Sequence, residues 1–320
     1  MLLGKIIKEI EMHFIIKKIL RYFKPTVINN IYADVITANL LNEVLLQNGK
    51  IWSEQLKQKK DIINIVETEF KVFSQWGDDG IIQYLINYLE IENKSFVEFG
   101  VENYLESNTR FLLINDNWSG LVMDSSETNI ASIIKSEIYW KYDLIAKLAF
   151  ITKDNINQLI SEESFEKNIG LLHIDIDGND YWIWKALKVV EPVIMILEYN
   201  SIFGYERAIT IPYQEDFIAS SAHYSYLYFG ASILSLCDLA EEKGYAFVGS
   251  NSAGNNAYFV KKEYLKGLKP LTPKEGYVQS KFRQSRDING NLNYLRKDDV
   301  LECIKGLPVY NTRTSSLETL

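Results

Sequence analysis

Two acidic residues, separated by a single isoleucine, stand in the segment Leu-Leu-His-Ile-Asp-Ile-Asp-Gly, the part of the chain richest in groups that could do chemistry. If this segment is an extended strand, His173, Asp175 and Asp177 point to one face of it. Neighbouring carboxylates repel each other, so they need a cation or several hydrogen-bond donors. A later apolar run ends in Glu198 and, two positions on, Asn200. The sequence therefore predicts a site for Mg²⁺ or another hard divalent cation with these oxygen ligands: Asp175, Asp177, Glu198 and Asn200.

Such a cation would bind and acidify a substrate hydroxyl and so turn it into a nucleophile. The alternative is a site without metal, in which Asp175 and Glu198 hold the ligands through hydrogen bonds. His223 is the candidate general base, since histidine titrates near neutral pH, although it can equally be a packing residue. The candidate catalytic residues are therefore Asp175, Glu198 and His223. Three arginines can bind an anionic substrate or can be ordinary surface charges: Arg207, Arg283 and Arg286.

Polar residues also follow the earlier apolar runs. Glu98 and Gly100 close the run Phe-Val-Glu-Phe-Gly, where a glycine lets a ligand approach the backbone and a carboxylate can bind an amine or a hydroxyl. Asp124 closes the next run and can accept both hydroxyls of a ribose, or cap the helix that follows. Asp154 and Asn155 stand where adenine contacts would fall, and either can also be a helix cap. The first run lacks the second and third glycines of a dinucleotide loop, which favours S-adenosylmethionine (SAM), a cofactor without pyrophosphate, over NAD.

These residues can meet only if the strands that carry them end at one edge of a sheet. From about residue 71 the sequence alternates apolar runs with helical patterns, which predicts a parallel sheet with crossover helices. The predicted strands are Phe96–Phe99, Leu121–Met123, Ala149–Thr152, Leu171–Ile176 and Val193–Leu197, then a hairpin from Tyr245–Val248 and Ala257–Val260. The predicted helices are Asp78–Tyr88, Thr128–Lys135, Asn155–Glu162, Tyr181–Lys188 and Ala231–Lys243, the last capped by Gly244. We predict an α/β fold of the Rossmann-like class I methyltransferase type, with a mostly parallel seven-stranded sheet, a terminal antiparallel hairpin and an N-terminal helical extension.

Three regions follow from these patterns. They are an N-terminal helical extension over residues 1–70, a SAM-dependent methyltransferase domain over 71–262, and a C-terminal extension or lid over 263–320. Residues 1–24 predict a basic amphipathic helix that ends at Pro25. This helix can pack on the main domain or on a second subunit of a homo-oligomer, or it can lie on an anionic membrane surface. Residues 30–70 continue helical, with a break predicted at Asn48-Gly49.

The composition narrows the function classes. The 320 residues carry a net charge of −8, which argues against general binding to nucleic-acid phosphates. The two cysteines, Cys237 and Cys303, support neither a disulfide framework nor a zinc cluster. No apolar run reaches the roughly 18 residues of a membrane span, and the N-terminus lacks the pattern of a signal peptide. We expect a cytoplasmic protein, either free or peripheral at the inner membrane.

Five segments carry a family resemblance: Ser74–Ile82, Phe96–Val101, Leu172–Trp182, Leu197–Asn200 and Phe229–Ser232. Together they resemble the bacterial FkbM-type methyltransferases, of the subgroup associated with surface-polysaccharide biosynthesis, over about residues 70–310. The resemblance implies a Rossmann-like fold, SAM as methyl donor and a hydroxyl, often on a sugar, as acceptor. The aspartate segment is also similar to that of cation-dependent O-methyltransferases acting on catechol-like substrates. By that resemblance Asp175 matches the first metal ligand and Asn200 the last, while Glu198 stands one position from the expected aspartate.

We therefore expect a SAM-dependent O-methyltransferase that modifies a sugar hydroxyl of a cell-surface glycan or its precursor, with or without a divalent cation. Two alternatives stay open. Asp175-Ile-Asp177 also resembles the Asp-x-Asp motif of glycosyltransferases that bind a nucleotide-sugar through Mn²⁺. A non-catalytic scaffold of a polysaccharide assembly complex, recruited through residues 1–24, is the other.

Overall fold

A computed structural model of the chain describes residues 25–59, 64–163, 165, 167–296 and 298–320. The chain divides into two compact units, and the division falls between Ile51 and Trp52. The first described helix, α1, covers Pro25–Leu56. It contains Asn48 and Gly49, so the predicted break is wrong, since a helical glycine costs about 1 kcal/mol but does not end a helix. The helix predicted over residues 1–24 lies outside the described residues, and the division into three regions stays a prediction.

Ten strands occur in the described residues, seven of them in one sheet. They are β1 Ser95–Phe99, β2 Ser119–Asp124, β3 Leu144–Leu148, β4 Asn168–Ile174, β5 Glu191–Glu198, β6 Ile209–Thr210, β7 Tyr245–Ser250, β8 Asn256–Lys261, β9 Pro308–Asn311 and β10 Ser316–Thr319. The large sheet has the order β3-β2-β1-β4-β5-β8-β7, in which β1 to β5 run parallel and β8 pairs antiparallel with both β5 and β7. The predicted fold class, a mostly parallel seven-stranded sheet with a terminal hairpin, is confirmed.

The third strand lies five residues before its predicted position. The sequence predicted Ala149–Thr152, whereas β3 covers Leu144–Leu148 and pairs with β2 from Gly120↔Leu144 to Asp124↔Leu148. This strand is at the edge of the sheet and is only partly buried, so it lacks the continuous apolar run that identifies the central strands. Residues 149–152 instead form the loop that leaves the strand at the same edge where the predicted ligand residues lie.

The helices of the described residues that follow α1 cover the sheet and connect its strands. They are α2 Asp78–Leu89, α3 Arg110–Asp116, α4 Glu127–Lys135, α5 Glu137–Lys141, α6 Ile156–Ser161, α7 Asp180–Ala186, α8 Ala219–Ala222, α9 Ile233–Glu242, α10 Pro273–Gly276 and α11 Asp298–Ile304. Helix α9 begins at the Ser232 side chain, which accepts a hydrogen bond from Ser235 N at 3.2 Å. It ends before Gly244, whose φ of +82° is the left-handed conformation that the predicted cap requires.

The sheet has a hydrophobic core on each face. On β1, Phe96 packs in one core while Val97 and Phe99 pack in the other. On β2, Val122 packs with Phe96, and Leu121 packs with the second core, because successive side chains of a strand point to opposite faces. Burial of each such side chain contributes about 1.5 to 3 kcal/mol to folding. The two cores fix the strands, and so they fix where the strands end.

The strand order reverses direction between β1 and β4, which are neighbours in the sheet but far apart in the chain. Successive strands therefore leave this point in opposite directions, and their connecting helices lie on opposite faces. In an open α/β sheet a ligand binds in the crevice outside the carboxyl ends of the strands at such a switch point. A second, three-stranded sheet of order β10-β9-β6 is built from the C-terminal residues and the short strand after β5.

Candidate functional site

A cavity of about 1410 Å³ opens at the carboxyl ends of β1, β2, β4 and β5. Small-molecule pockets commonly measure about 300 to 1000 Å³, so this cavity has room for two ligands side by side. One part of its wall comes from the loops after β1, β2 and β3, and another from the ends of β4 and β5 and the segment 279–301. Most of the residues predicted as ligand-binding line this cavity: Glu98, Gly100, Asp124, Asp175, Asp177, Glu198 and Asn200.

Gly100 lies at the switch point and allows β1 and β4 to end in contact. Its φ is +72°, and its N–H donates to Met123 O at 3.0 Å. A Cβ at this position would lie 1.6 Å from the carbonyl oxygen of Asp175, which no real side chain could tolerate. The glycine is therefore required by the approach of Asp175, whether or not a ligand also passes close to its backbone.

Asp124 joins the loops after β1 and β2 while keeping one edge at the cavity. Its Oδ2 accepts from Glu102 N at 2.8 Å, and its Oδ1 accepts from Ser126 N at 2.8 Å and from Asn129 Nδ2 at 3.1 Å. The side chain of Ser126, not that of Asp124, accepts from Asn129 N at the start of α4. A carboxylate offers about four acceptor positions, so three donors leave Asp124 capacity for a hydroxyl in the cavity.

Glu98 lines the cavity but is only 2% exposed, and its oxygens bond within the protein. Oε1 accepts from Asn108 N at 3.0 Å and contacts His173 Nδ1 at 2.9 Å. Oε2 accepts from Ser107 Oγ at 2.5 Å, from Thr109 N at 3.1 Å and from the Thr109 hydroxyl. The carboxylate therefore holds the loop 107–109 against β1 and β4, and little of it remains open to a ligand.

Glu98 and His173 stabilise each other's charged forms. Burial acts to raise the pKa of Glu98, but the hydrogen bond and charge of His173 and the hydroxyl donors lower it below its usual value. Burial acts to lower the pKa of His173, yet the hydrogen bond and charge of Glu98 raise it. The pair is thus a buried ion pair that fixes the loop after β1.

The structure does not bring Asp154 and Asn155 to the cavity wall. Asn155 instead closes the turn before α6, since its Oδ1 accepts from Thr152 N at 2.8 Å and its Nδ2 donates to Phe150 O at 2.9 Å. Asn155 is the residue before the first turn of α6, but its side chain makes no hydrogen bond that caps the helix. Phe150 and Ile151, from the same loop, line the cavity in their place and give it an apolar wall next to Asp124.

Three carboxylates converge at the ends of β4 and β5, as the sequence predicted. One oxygen from each of Asp175, Asp177 and Glu198 lies within 4.8 Å of the others. Strand β4 stops at Ile174, paired with Leu197 of β5, so Asp175 and Glu198 come next in the two parallel strands. The predicted strand to Ile176 is wrong, and Asp177 reaches the cluster through a turn in which its φ is +52°.

Asp180 holds that turn. Its Oδ1 accepts from Ile176 N at 3.0 Å and its Oδ2 accepts from Gly178 N at 3.0 Å. Burial raises the pKa of Asp180 to about 6, against the effect of these two hydrogen bonds. Asp180 is fully buried and begins α7, so it orients the cluster from behind and is not one of its members.

Two of the clustered carboxylates, Asp175 and Glu198, have raised pKa values for a common reason. Burial, together with the charge of Asp177, raises the pKa of Asp175 to about 8. Burial and then the charges of Asp175 and Asp177 raise the pKa of Glu198 well above its usual range. Glu198 Oε2 is buried and has no hydrogen-bond partner in the described residues. An all-oxygen donor set with an unpaired buried oxygen fits a hard divalent cation held by Asp175, Asp177 and Glu198.

Asn200, the fourth predicted ligand, uses its amide for a turn. Its Nδ2 donates to Leu227 O at 2.9 Å and to Phe229 O at 3.0 Å, and its Oδ1 accepts from Ile202 N at 3.0 Å. The side chain therefore caps the short helix after β5 and holds the loop 227–229. Asn200 lines the cavity, but its amide group already donates two hydrogen bonds and its oxygen already accepts one, so it is less available as a metal ligand than the three carboxylates.

His223 does not line the cavity. Its Nδ1 bonds to Ser225 Oγ at 2.7 Å, its ring packs against that of Tyr224, and burial lowers its pKa. Arg207 is also elsewhere, since it forms an ion pair with Glu318 at 2.9 Å. Arg286 donates to Gly290 O at 2.9 Å and lies over the ring of Tyr226. Of the three predicted arginines, only Arg283 lines the cavity.

Sequence reasoning missed several residues of the cavity wall. Trp76 lines it from the loop before α2, and Lys281, Phe282 and Arg296 line it from the C-terminal segment. The motif Ser74-Gln-Trp-Gly was part of the family resemblance, so Trp76 could have been found there. No local pattern marks Lys281 or Arg296, because their place depends on contacts with residues far away in the chain.

Comparisons with solved structures return methyltransferases at low similarity. An O-methyltransferase from Bacillus cereus in complex with SAH shares 13% identity and covers 68% of this chain and 91% of its own, with a TM-score of 0.39. The CurJ carbon methyltransferase shares 10% identity over 69% of this chain and 70% of its own, with a TM-score of 0.37. Fibrillarin from Aeropyrum pernix with bound SAM shares 8% identity over 53% and 67%, with a TM-score of 0.34.

No family model matches the chain, and no curated protein matches it. Membership of the FkbM family therefore stays a prediction from the motifs. The described residues contain no helix that is both long enough and apolar enough to cross a membrane.

Proposed function

We propose that the protein is a SAM-dependent O-methyltransferase that modifies a sugar hydroxyl of a cell-surface glycan or its precursor. One observation carries this proposal. A single cavity at the switch point of the sheet holds Asp124 at the end of β2 and the three-carboxylate cluster at the ends of β4 and β5. The Asp124 carboxylate suits a nucleoside ribose and the cluster suits a reacting hydroxyl, and the size of the cavity supports a site for both ligands.

The loop after β1 favours SAM among nucleoside cofactors. It reads Gly-Val-Glu-Asn-Tyr-Leu and has no further glycine with which to cradle a pyrophosphate. Asp124 accepts the ribose hydroxyls through its remaining acceptor capacity, and the apolar wall of Phe150 and Ile151 receives the adenine. The resemblance of the motifs to FkbM-type enzymes supports the sugar as acceptor.

When bound, SAM supplies a methyl group activated on a sulfonium centre. The chain's own groups then need to hold the acceptor oxygen in line with it and to take the hydroxyl proton. Asp175 is the group we assign to the proton, because it belongs to the carboxylate cluster and lines the cavity. Glu198 and Asp177 flank it, and a divalent cation bound to the three would lower the pKa of the acceptor hydroxyl instead.

Calorimetry tests whether the chain binds the proposed methyl donor. We expect SAM and SAH to bind the full chain with micromolar affinity, and Asp124→Asn to weaken SAH binding by about tenfold or more, since a hydrogen bond to a charged group contributes about 1.5 to 3 kcal/mol. Asp143→Asn is the matched control, because Asp143 is exposed and lies outside the cavity. Absence of heat with both ligands at millimolar concentration would refute the proposal.

The same preparation distinguishes the two alternatives. A glycosyltransferase would be stabilised by a UDP-sugar with Mn²⁺ and not by SAM. A scaffold would be stabilised by neither ligand, and deletion of residues 1–24 would abolish its recruitment to an assembly complex. Recruitment through residues 1–24, to a membrane surface or to a second subunit, is compatible with the enzyme as well and is a separate proposal.

A further inference from the structure

The acidic and the basic residues of the cavity wall come from different parts of the chain. Its carboxylates come mainly from the sheet and the adjoining loops, whereas the lysines and arginines that line it among the described residues all come from the segment 281–296. These cations are Lys281, Arg283 and Arg296. None of the three forms a salt bridge with a carboxylate of the described residues, in contrast to Arg313, which pairs with Asp238 at 2.6 Å. Arg283 instead rests over the ring of Tyr294, with 5.6 Å between its guanidinium carbon and the ring centroid.

The segment that carries these cations is fixed to the turn after β5. Tyr199 donates its hydroxyl to Val278 O at 2.5 Å, and Ser280 N donates to Ser201 Oγ at 3.2 Å. The hydroxyls of Ser201 and Ser280 also bond to each other at 2.6 Å. Lys281 is thus the first residue beyond an anchor that lies three residues after Glu198 in the chain. The cations enter the cavity from the side of the carboxylate cluster, which is the acceptor side.

A second anchor brings the chain back to this position. Ser285 is buried, and its carbonyl oxygen accepts from Asn293 N at 3.0 Å while its hydroxyl accepts from Leu295 N at 2.8 Å. Residues 286–292 therefore form a loop whose two ends are hydrogen-bonded together, and Arg296 lies close to the residues that carry Arg283. Two guanidinium groups from different parts of the segment then share one wall.

An aromatic surface lies beside the cations. The rings of Trp76 and Phe282 stack with their centroids 6.1 Å apart and an angle of 21° between their planes. Both side chains line the cavity and remain partly exposed, at 38% and 42%. Flat aromatic faces pack well against the apolar face of a sugar ring, and guanidinium groups bind carboxylates and phosphates in a bidentate manner.

We propose that the acceptor is an anionic sugar whose carboxylate or phosphate group binds to Lys281, Arg283 and Arg296 while its ring lies near Trp76 and Phe282. This inference rests on the proposed function for the identity of the reaction, although the anion subsite can be tested without it. A uronic acid and a sugar phosphate offer the same charged oxygen chemistry, and the probes below separate them.

Calorimetry with the full chain, in the presence of SAH, would compare glucose, glucuronic acid and glucose 6-phosphate as probes. We expect at least one charged sugar to bind at least about tenfold more tightly than glucose. Tighter binding of glucuronic acid identifies a carboxylate acceptor, and tighter binding of glucose 6-phosphate identifies a phosphorylated one. If neither charged sugar binds more tightly than glucose, the proposal is refuted.

Arg283→Gln and Arg296→Gln should each weaken the charged probe by about five- to tenfold and leave glucose and SAH binding unchanged. Lys274→Gln removes the same charge from an exposed residue outside the cavity and should change none of these affinities. Thermal melts establish that the variants are folded. Unchanged binding of the charged probe in both arginine variants would overturn the proposal. Failure of the unmutated chain to bind SAH would instead overturn the proposed function, and the charged probes would still test the anion subsite.

Discussion

Replacement of Glu98 by glutamine tests whether this residue is a structural acceptor or a direct ligand of the donor. In the structure, Oε1 accepts from Asn108 N and contacts His173, and Oε2 accepts from Thr109 N and two hydroxyls. An amide must place its NH₂ group at one of these two positions. A hydroxyl can rotate and a histidine can change tautomer to accept from it, but a backbone N–H cannot.

Either orientation of the glutamine therefore strands one buried backbone N–H, that of Asn108 or that of Thr109. A buried unsatisfied N–H costs about 1 to 3 kcal/mol, and loss of the charge weakens the contact with His173 by a similar amount. Breaking a buried ion pair from one side commonly costs about 3 to 5 kcal/mol. We expect Glu98→Gln to lower the free energy of unfolding by about 3 to 5 kcal/mol.

Urea denaturation followed by fluorescence measures this loss, and the matched control is Glu106→Gln. Glu106 is on the same loop, but its side chain is 53% exposed and its ion pair with Lys71 spans 3.2 Å, so its replacement should change stability by less than about 1 kcal/mol. If Glu98→Gln keeps its stability and loses only SAM binding, Glu98 is a direct ligand and our interpretation of its hydrogen bonds is wrong.

Three further predictions follow from the same site. The difference in unfolding free energy between the unmutated chain and Glu98→Gln should be largest between about pH 4.5 and 6.5, measured by urea titration. The reason is that the lowered pKa of Glu98 stabilises the fold above 4.5 and the raised pKa of His173 stabilises it below 6.5; a pH-independent difference contradicts this. Gly100→Ala should lower the free energy of unfolding by at least about 3 kcal/mol, because the new Cβ would lie 1.6 Å from Asp175 O. Gly244→Ala is the control: its φ is also positive, at +82°, but the space around it is open, so it should cost only about 1 to 2 kcal/mol. Equal denaturation midpoints for the two variants would exclude the clash. Asp175→Asn should lower kcat by about 10² to 10⁴ without changing SAH affinity, and a variant that retains full turnover removes Asp175 from the chemistry.

The central strands could be predicted from the sequence because apolar residues dominate each of them. The predicted Phe96–Phe99 and Leu121–Met123 lie within the observed Ser95–Phe99 and Ser119–Asp124. The edge strand β3 could not, because it is only partly buried and a lysine interrupts its apolar residues. Apolar runs identified the strands of this sheet that are buried on both faces, because burial on both faces requires apolar side chains.

The residues of the site likewise differ in how far their positions could be predicted from the sequence. The meeting of Asp175 with Glu198 could be predicted, since adjacent parallel strands end at one edge of the sheet. The use of the Asn200 amide donors could not, because their acceptors, the carbonyls of Leu227 and Phe229, are 27 and 29 residues away in the chain. His223 was selected for its residue type alone, and nothing in its sequence context specified that its ring would bond to Ser225.

The separation of charge in the cavity gives the two proposals a common physical basis. Carboxylates from the strand ends supply negative charge that suits the positive sulfonium of SAM, and the cations of the segment 281–296, which enter from the side of the carboxylate cluster, supply positive charge that suits an anionic acceptor. Methyl transfer removes the charge on sulfur, so SAH loses this attraction to the strand-end carboxylates while the acceptor keeps its own anion. If the chain binds SAM and an anionic sugar as proposed, the electrostatics of the wall would favour SAM over SAH.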